Sequence, residues 1–209
     1  TLPPTFPPTL PPTLPPTLPP PLIMLLENSG TILVPSGYNY VDLKLVGGGG
    51  GGGYFSNPSG GSGGGGGSGY FNEYFNIPVN ENESINITIG NGGLRETDGE
   101  DTKVTINSIN FISNGGKKGT SGTATYIESM YGYIYTNGIG GDGLIKGGNA
   151  TGQDENRMPG IGAIGTNINN IYYGSGANGY RFCLRRCRSV PSNQNAVSKG
   201  VALIIFKKI

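Results

Sequence analysis

Two glycine runs, residues 47–53 and 60–69, constrain this chain more than any other feature, and the second is interrupted only by Ser62 and Ser68. Glycine loses the most conformational freedom on ordering, so such a run is either a flexible linker or an element fixed by close packing. The flanks favour packing. The first run leaves Tyr40-Val41-Asp42-Leu43-Lys44-Leu45-Val46, where Val41, Leu43 and Leu45 share one face and Asp42 and Lys44 the other. That alternation is a half-buried strand. The second run enters Tyr70-Phe71-Asn72-Glu73-Tyr74-Phe75-Asn76-Ile77-Pro78-Val79, an extended segment. A polyglycine helix of the polyproline II type has three residues per turn and no internal hydrogen bonds, so its backbone groups pair only with neighbours. The missing Cβ lets those neighbours approach, as it does at the axis of collagen. Candidate segments of this kind are 47–53, 60–69, 138–143 and 160–165. At the three-residue period the expected structural glycines are Gly47, Gly50, Gly53, Gly60, Gly63, Gly66 and Gly69.

Composition alone points towards low complexity, since 40 Gly and 16 Pro exceed a quarter of the 209 residues. The 34% hydrophobic fraction, gathered into alternating segments, is nevertheless enough to build a core. The net charge of +1 gives no field that would steer the chain to nucleic acid. No apolar run reaches about 18 residues, so no membrane insertion by a helix is expected. The chain opens on Thr1 rather than Met, which leaves the start of the full protein open. Histidine is absent, which removes histidine-based triads and imidazole metal sites. Two cysteines cannot make a four-thiolate zinc site. The glycine runs match a dinucleotide fingerprint only trivially, without a βαβ context, and Gly116-Lys117-Lys118-Gly119-Thr120 lacks the spacing of a phosphate loop. No enzyme activity, cofactor or metal is expected; any chemistry would rest on carboxylates and hydroxyls.

Residues 1–21 repeat Thr-Leu-Pro-Pro, with Phe6 once in place of Leu. Proline fixes φ and drives its predecessor to extended geometry, so the repeat reads as a polyproline II stalk of roughly 65 Å. A four-residue repeat on a three-residue helix makes Leu2, Phe6, Leu10, Leu14 and Leu18 spiral around the rod. The repeat is either a semi-rigid linker or a stalk of intertwined chains that bury the spiral. Residues 22–209 form the head. Within it, Leu22-Ile23-Met24-Leu25-Leu26 reads as a strand or a single buried turn, and Thr31-Ile32-Leu33-Val34 as a strand. Ile85, Ile87 and Ile89 alternate, as do Val104 and Ile106, and the phase reverses near Ser108, where a bulge or turn is expected. Residues 126–135 read as a possible strand. Gly200-Val201-Ala202-Leu203-Ile204-Ile205-Phe206 is apolar on both faces, the pattern of a central strand buried on both sides.

Tyr131, Tyr133, Tyr135, Tyr172, Tyr173 and Tyr180 are candidate contacts for a receptor, because tyrosine gives rigid, amphipathic contact area; the competing role is core filling. Arg181, Arg185, Arg186 and Arg188 form the one concentrated charge, a basic patch for an anionic surface or a solvated loop. Cys183 and Cys187 lie close enough for a turn to bridge them, or remain free thiols. The acidic loop 96–101 offers carboxylate oxygens to a Ca²⁺ ion but lacks EF-hand spacing, so it is expected to be solvated. Asn82, Asn86 and Asn149 head glycosylation sequons, relevant only in a eukaryotic secretory pathway.

Val34-Pro35-Ser36-Gly37, the alternating strand and Val46 leading into polyglycine resemble the opening of the glycine-rich domain of phage tail-fibre adhesins and some virion proteins. Ile85-Asn86-Ile87-Thr88-Ile89-Gly90-Asn91-Gly92-Gly93, the stretch from Asp101-Thr102-Lys103-Val104 to Asn114-Gly115-Gly116, and the closing strand 200–206 resemble its later motifs. The glycine-rich jelly roll of anaplastic lymphoma kinase receptors is also similar. The resemblance implies an all-β, jelly-roll-like β-sandwich with packed polyglycine II helices, here preceded by the stalk. It implies a non-enzymatic virion fibre or adhesin, homo-oligomeric and expected to be trimeric, whose loops hold a host surface glycan or protein. Other virion proteins are further expected partners, nucleic acid is not, and the expected location is the virion surface or extracellular space. The alternative is a secreted cellular adhesion or matrix protein of the same fold. Neither relative supplies the Thr-Leu-Pro-Pro repeat, which suits a fibre.

Overall fold

The computed structural model describes residues 18–54, 62–128, 132–136, 138–146, 149, 162–178 and 198–209; the side chains of 124, 125, 127 and 132–136 are not among them. The described residues contain no α-helix. The strands are β1 (Leu22–Leu26), β2 (Gly30–Leu33), β3 (Tyr40–Val46), β4 (Phe71–Pro78), β5 (Ser84–Thr88), β6 (Thr102–Ile106), β7 (Ile109–Ser113), β8 (Thr123–Ile127), β9 (Gly132–Thr136), β10 (Thr166–Ile168), β11 (Ile171–Tyr173) and β12 (Val201–Lys207). Two four-stranded sheets run in the orders β1-β12-β3-β4 and β2-β5-β6-β7, and β8-β9 and β10-β11 form two hairpins. Every pairing is antiparallel.

Alternation decides what each sheet buries. Val41, Leu43 and Leu45 of β3 meet Ile85 and Ile87 of β5, Val104 and Ile106 of β6, and Ala202, Ile204 and Phe206 of β12 in one cluster fed by both sheets. Each fully buried aliphatic or aromatic side chain contributes about 1.5–3 kcal/mol by leaving water. On the opposite face of β3, Asp42 pairs with Lys207 at 2.8 Å and Lys44 with Glu73 at 2.7 Å. Leu22–Leu26 is a strand, not a buried turn, and it docks on β12 at the sheet edge. The phase reversal after Ile106 is a two-residue hairpin: Asn107 and Ser108 both take positive φ, 49° and 63°, so that Ile106 faces Ile109. Two successive left-handed residues match the strand twist in such a turn.

One expectation is refined, and one irregularity is added. β12 is central, but only its inner face is fully buried; Leu203 and Ile205 opposite are half-buried, because the sheet is fully covered on one side only. β3 and β4 pair with a shift between Val41 and Leu43, where Asn76 adopts φ 55° and its N–H donates to Asp42 Oδ1 at 2.7 Å. The edge formed by β4 and β7 is closed by side chains: Asn72 Nδ2 and Tyr74 OH both donate to the Ile112 carbonyl at 2.8 Å.

The sandwich is polar along its length. At one end Tyr38 OH donates to the Pro20 carbonyl, where the N-terminal repeat meets the head. At the other end β3 runs into Gly47, β4 is entered from Gly69, β5 runs into Gly90, β7 leads to Gly115 and β12 is entered from Gly200. Residues 18–21 and the glycine segments therefore lie at opposite ends of the sandwich. Residues 1–17 of the repeat lie outside the described residues.

Candidate functional site

Residues 47–53 and 62–69 are buried throughout and belong to no extended ladder. Their hydrogen bonds follow a three-residue period. Gly47, Gly50 and Gly53 donate to the carbonyls of Tyr70, Gly67 and Gly64 at 2.8–3.0 Å, which sets the two runs antiparallel. Gly48 and Gly51 donate to Glu100 and Thr97, and Gly49 donates to Ser198. The carbonyls of Gly48 and Gly51 accept from Gly116 and Gly119, and that of Gly50 from Ala177. The second run does the same with other neighbours. Gly64, Gly67 and Tyr70 donate to Thr120, Lys117 and Asn114, while Gly66 and Gly69 donate to Ala177 and Gly174. The Ser62 and Gly65 carbonyls accept from Gly138 and Gly141. Each run is thus surrounded by other segments of the chain and bonds to each at every third residue. An unpaired buried peptide group costs about 1–3 kcal/mol, so this pairing is a condition of burying the runs at all.

The spacing admits only glycine. A Cβ on Gly47, Gly50 or Gly53 would strike the carbonyl of Asn114, Lys117 or Thr120, and one on Gly63, Gly66 or Gly69 that of Gly53, Gly50 or Gly47. All fall inside the 3.0 Å that real Cβ atoms essentially never breach, and all meet rigid backbone. Gly60 lies outside the described residues. Ser68 is tolerated because its side chain points off the packed face, where its Oγ accepts from Ile145 N–H at 2.8 Å.

The acidic loop is exposed to solvent, as expected: Glu96, Asp98, Glu100 and Asp101 all face water. Its carboxylates satisfy donors of the bundle: Asp101 Oδ1 accepts from Gly115 N–H at 2.9 Å, Glu100 Oε2 from Asn91 N–H at 3.1 Å, and Asp98 Oδ1 from Lys118 N–H at 2.9 Å. Asp98 also pairs with Lys117 at 2.9 Å. Burial pushes the Asp98 carboxyl up, but the Lys118 N–H bond, the Lys117 bond and both lysine charges outweigh it and hold it below its usual value. A depressed carboxylate stabilises the fold at neutral pH and loses that contribution as pH falls through its folded value. Thermal stability should therefore fall as the pH drops below about 4. Asp98→Asn should be less stable at neutral pH and flatter over that acid range, which melting curves across pH would check. No group of three His, Cys, Asp or Glu converges on a metal-sized site among the described residues.

At the far end of the bundle the chain turns back, and side chains return. Arg95 stacks its guanidinium over the Tyr54 ring at 3.9 Å, a cation–π contact. Tyr54 N–H donates to Ser121 Oγ at 3.3 Å, and that hydroxyl donates to Glu96. Leu94 beside them is 77% exposed. This tip was not among the sequence candidates. A usable signal existed: residues 94–98 sit between Gly92-Gly93 and Gly99, the same strand–glycine–tip–glycine–strand order as the long runs.

The tyrosine candidates separate. Tyr172 is about half exposed on β11. Tyr173 is 4% exposed and packs with Val46 and Val201, so it serves the core and not a receptor surface. Burial, then a hydrogen bond to Glu27, pushes its phenol up to about 12. Tyr131, Tyr180, the basic residues Arg181, Arg185, Arg186 and Arg188, and Cys183 with Cys187 lie outside the described residues, as do the side chains of Tyr133 and Tyr135. Of the sequon asparagines, Asn82 sits exposed in a turn at φ 61°, Asn86 is exposed on β5, and Asn149 is exposed with its Oδ1 accepting from Gly140 N–H.

A family model for a glycine-rich domain matches residues 27–200. The chain belongs to that glycine-rich domain family. No curated protein matches it. No helix among the described residues is long and apolar enough to cross a membrane.

Proposed function

We propose that this chain is a non-enzymatic viral fibre or adhesin protein whose glycine bundle holds recognition tips away from a stalk. The observation that carries the reading is the bundle itself. Runs 47–53 and 62–69 are buried, bond to neighbours at a three-residue period and admit no Cβ at Gly47, Gly50, Gly53, Gly63, Gly66 or Gly69. That is the pairing expected of packed polyglycine II helices, which are a scaffold with no chemistry of their own. The head is read as jelly-roll-like: two four-stranded antiparallel sheets share a core, and the first and last sandwich strands are neighbours. It departs from a jelly roll where β5, β6 and β7 run as a meander. Residues 18–21, the end of the repeat, lie at the end of the sandwich opposite the bundle, which suits a tip presented outward. In this reading the repeat is the shaft of a homo-oligomer, a trimer, whose apolar spiral the copies bury between them. The protein then sits on a virion surface and attaches it to a host glycan or protein.

Binding of the full chain to host cells or a glycan array tests this. Arg95→Ala with Leu94→Asp, both at the tip, should abolish binding without lowering the melting temperature by more than a few degrees. Binding that survives this pair, or a chain that binds no cell surface, would refute the reading. A secreted adhesion protein of the same fold is the second reading; exposed Asn82 in its turn favours it, and glycan occupancy there on the native protein would select it.

A further inference from the structure

The two flanks of the glycine bundle differ in chemistry. Beyond run 47–53 lie residues 91–101, which carry the charged and hydrogen-bonded carboxylates described above. Beyond run 62–69 lie residues 138–145 and 162–165, placed there by the bonds of Gly138 and Gly141 to Ser62 and Gly65, of Ser68 to Ile145, and of Ala163 to Gly66. This second flank shows water aliphatic side chains: Ile164 is 63% exposed, and Ile139, Leu144 and Ile145 are each about half exposed. Its backbone donors are largely taken within the chain, by Thr120, Asn149, Asp142 and Ser68 side chains. What the flank can offer a partner is therefore side-chain surface and not a free backbone edge. Asp142 and Lys146 stand exposed on the same segment, four residues apart and of opposite sign, and neither has an ion-pair partner among the described residues.

We infer that this flank is where the head of one copy meets the head of another. An aliphatic patch bearing one carboxylate and one ammonium is complementary to itself: Asp142 of one copy can meet Lys146 of the next while the aliphatic side chains between them leave water. A polar partner would leave those side chains unmatched, and a purely apolar one would strand both charges. The inference rests on the proposed homo-oligomer and names the head contact within it.

The test is sedimentation of the full chain over a range of concentrations. Ile145→Glu with Ile164→Glu should weaken self-association about tenfold or more. Asp142→Lys alone should weaken it, and Asp142→Lys with Lys146→Asp should restore it, a rescue that a folding defect would not give. A second chain with Leu2, Phe6, Leu10, Leu14 and Leu18 replaced by Ser should associate less strongly yet still respond to the Asp142 and Lys146 exchange. If the wild-type chain is a monomer at every concentration, both the proposed oligomer and this contact fall. If it is an oligomer that these flank substitutions leave unchanged, the contact falls and the proposed oligomer stands.

Discussion

Gly66→Ala is expected to cost about 4 kcal/mol or more, the range reached only by the severest single substitutions. The added methyl would drive into the Gly50 carbonyl, which already accepts from Ala177 N–H at 2.9 Å. Neither run can retreat, because each is bonded on its other sides. Gly66 donates to Ala177, and Gly50 donates to Gly67. Relief therefore means breaking several buried backbone bonds at once. For a domain of this size that corresponds to a fall in Tm of about 8–16 °C. Gly30→Ala is the matched control. Nothing lies within 4 Å of a Cβ there, and the same substitution should change stability by no more than about 0.5 kcal/mol. Scanning calorimetry of the two variants beside the parent checks the contrast. If both are equally mild, the bundle is not packed as described.

The second large effect belongs to the sandwich. Phe206→Ala should cost about 3–5 kcal/mol, because its ring is fully buried in the cluster that joins the two sheets and packs beside Tyr38 at 6.2 Å between centroids. Its sheet neighbour Ile205 faces the other way and is only half-buried. Ile205→Ala should cost distinctly less, and denaturant titration of the pair separates inner from outer face. A Phe206 cost no larger than that of Ile205 would overturn the shared core.

These predictions differ in how visible they are in the residues alone. Val41, Leu43 and Leu45, or Ile85 and Ile87, announce their buried face by strict alternation, since side chains in a strand alternate with period two. The turn at Asn107 and Ser108 is announced by the change of phase it must absorb. The glycine runs announce their period and their need for neighbours, but not which neighbours. Ser198, Ala177 and Thr97 accept or donate there through backbone atoms that every residue possesses, so side-chain identity carries no address. Tyr172 and Tyr173 show the same limit on a short strand. Three residues, Ile171–Tyr173, are too few to fix the phase, and one tyrosine faces water while the other fills the core. The acidic loop is legible as an exposed segment, but its partners are not. The backbone N–H groups of Asn91, Gly115 and Lys118 that hold its carboxylates come from distant or neutral positions. The tip of Tyr54, Arg95 and Glu96 was missed, because it is assembled from segments that only the bundle brings together.

The central claim is that glycine here is scaffold and not linker, and amide hydrogen exchange tests it most directly. The N–H groups of 47–51, 53, 64 and 66–69 are bonded and buried, so they should exchange as slowly as those of β3. Exchange of these amides at the rate of an unstructured chain, while β3 stays protected, would contradict it.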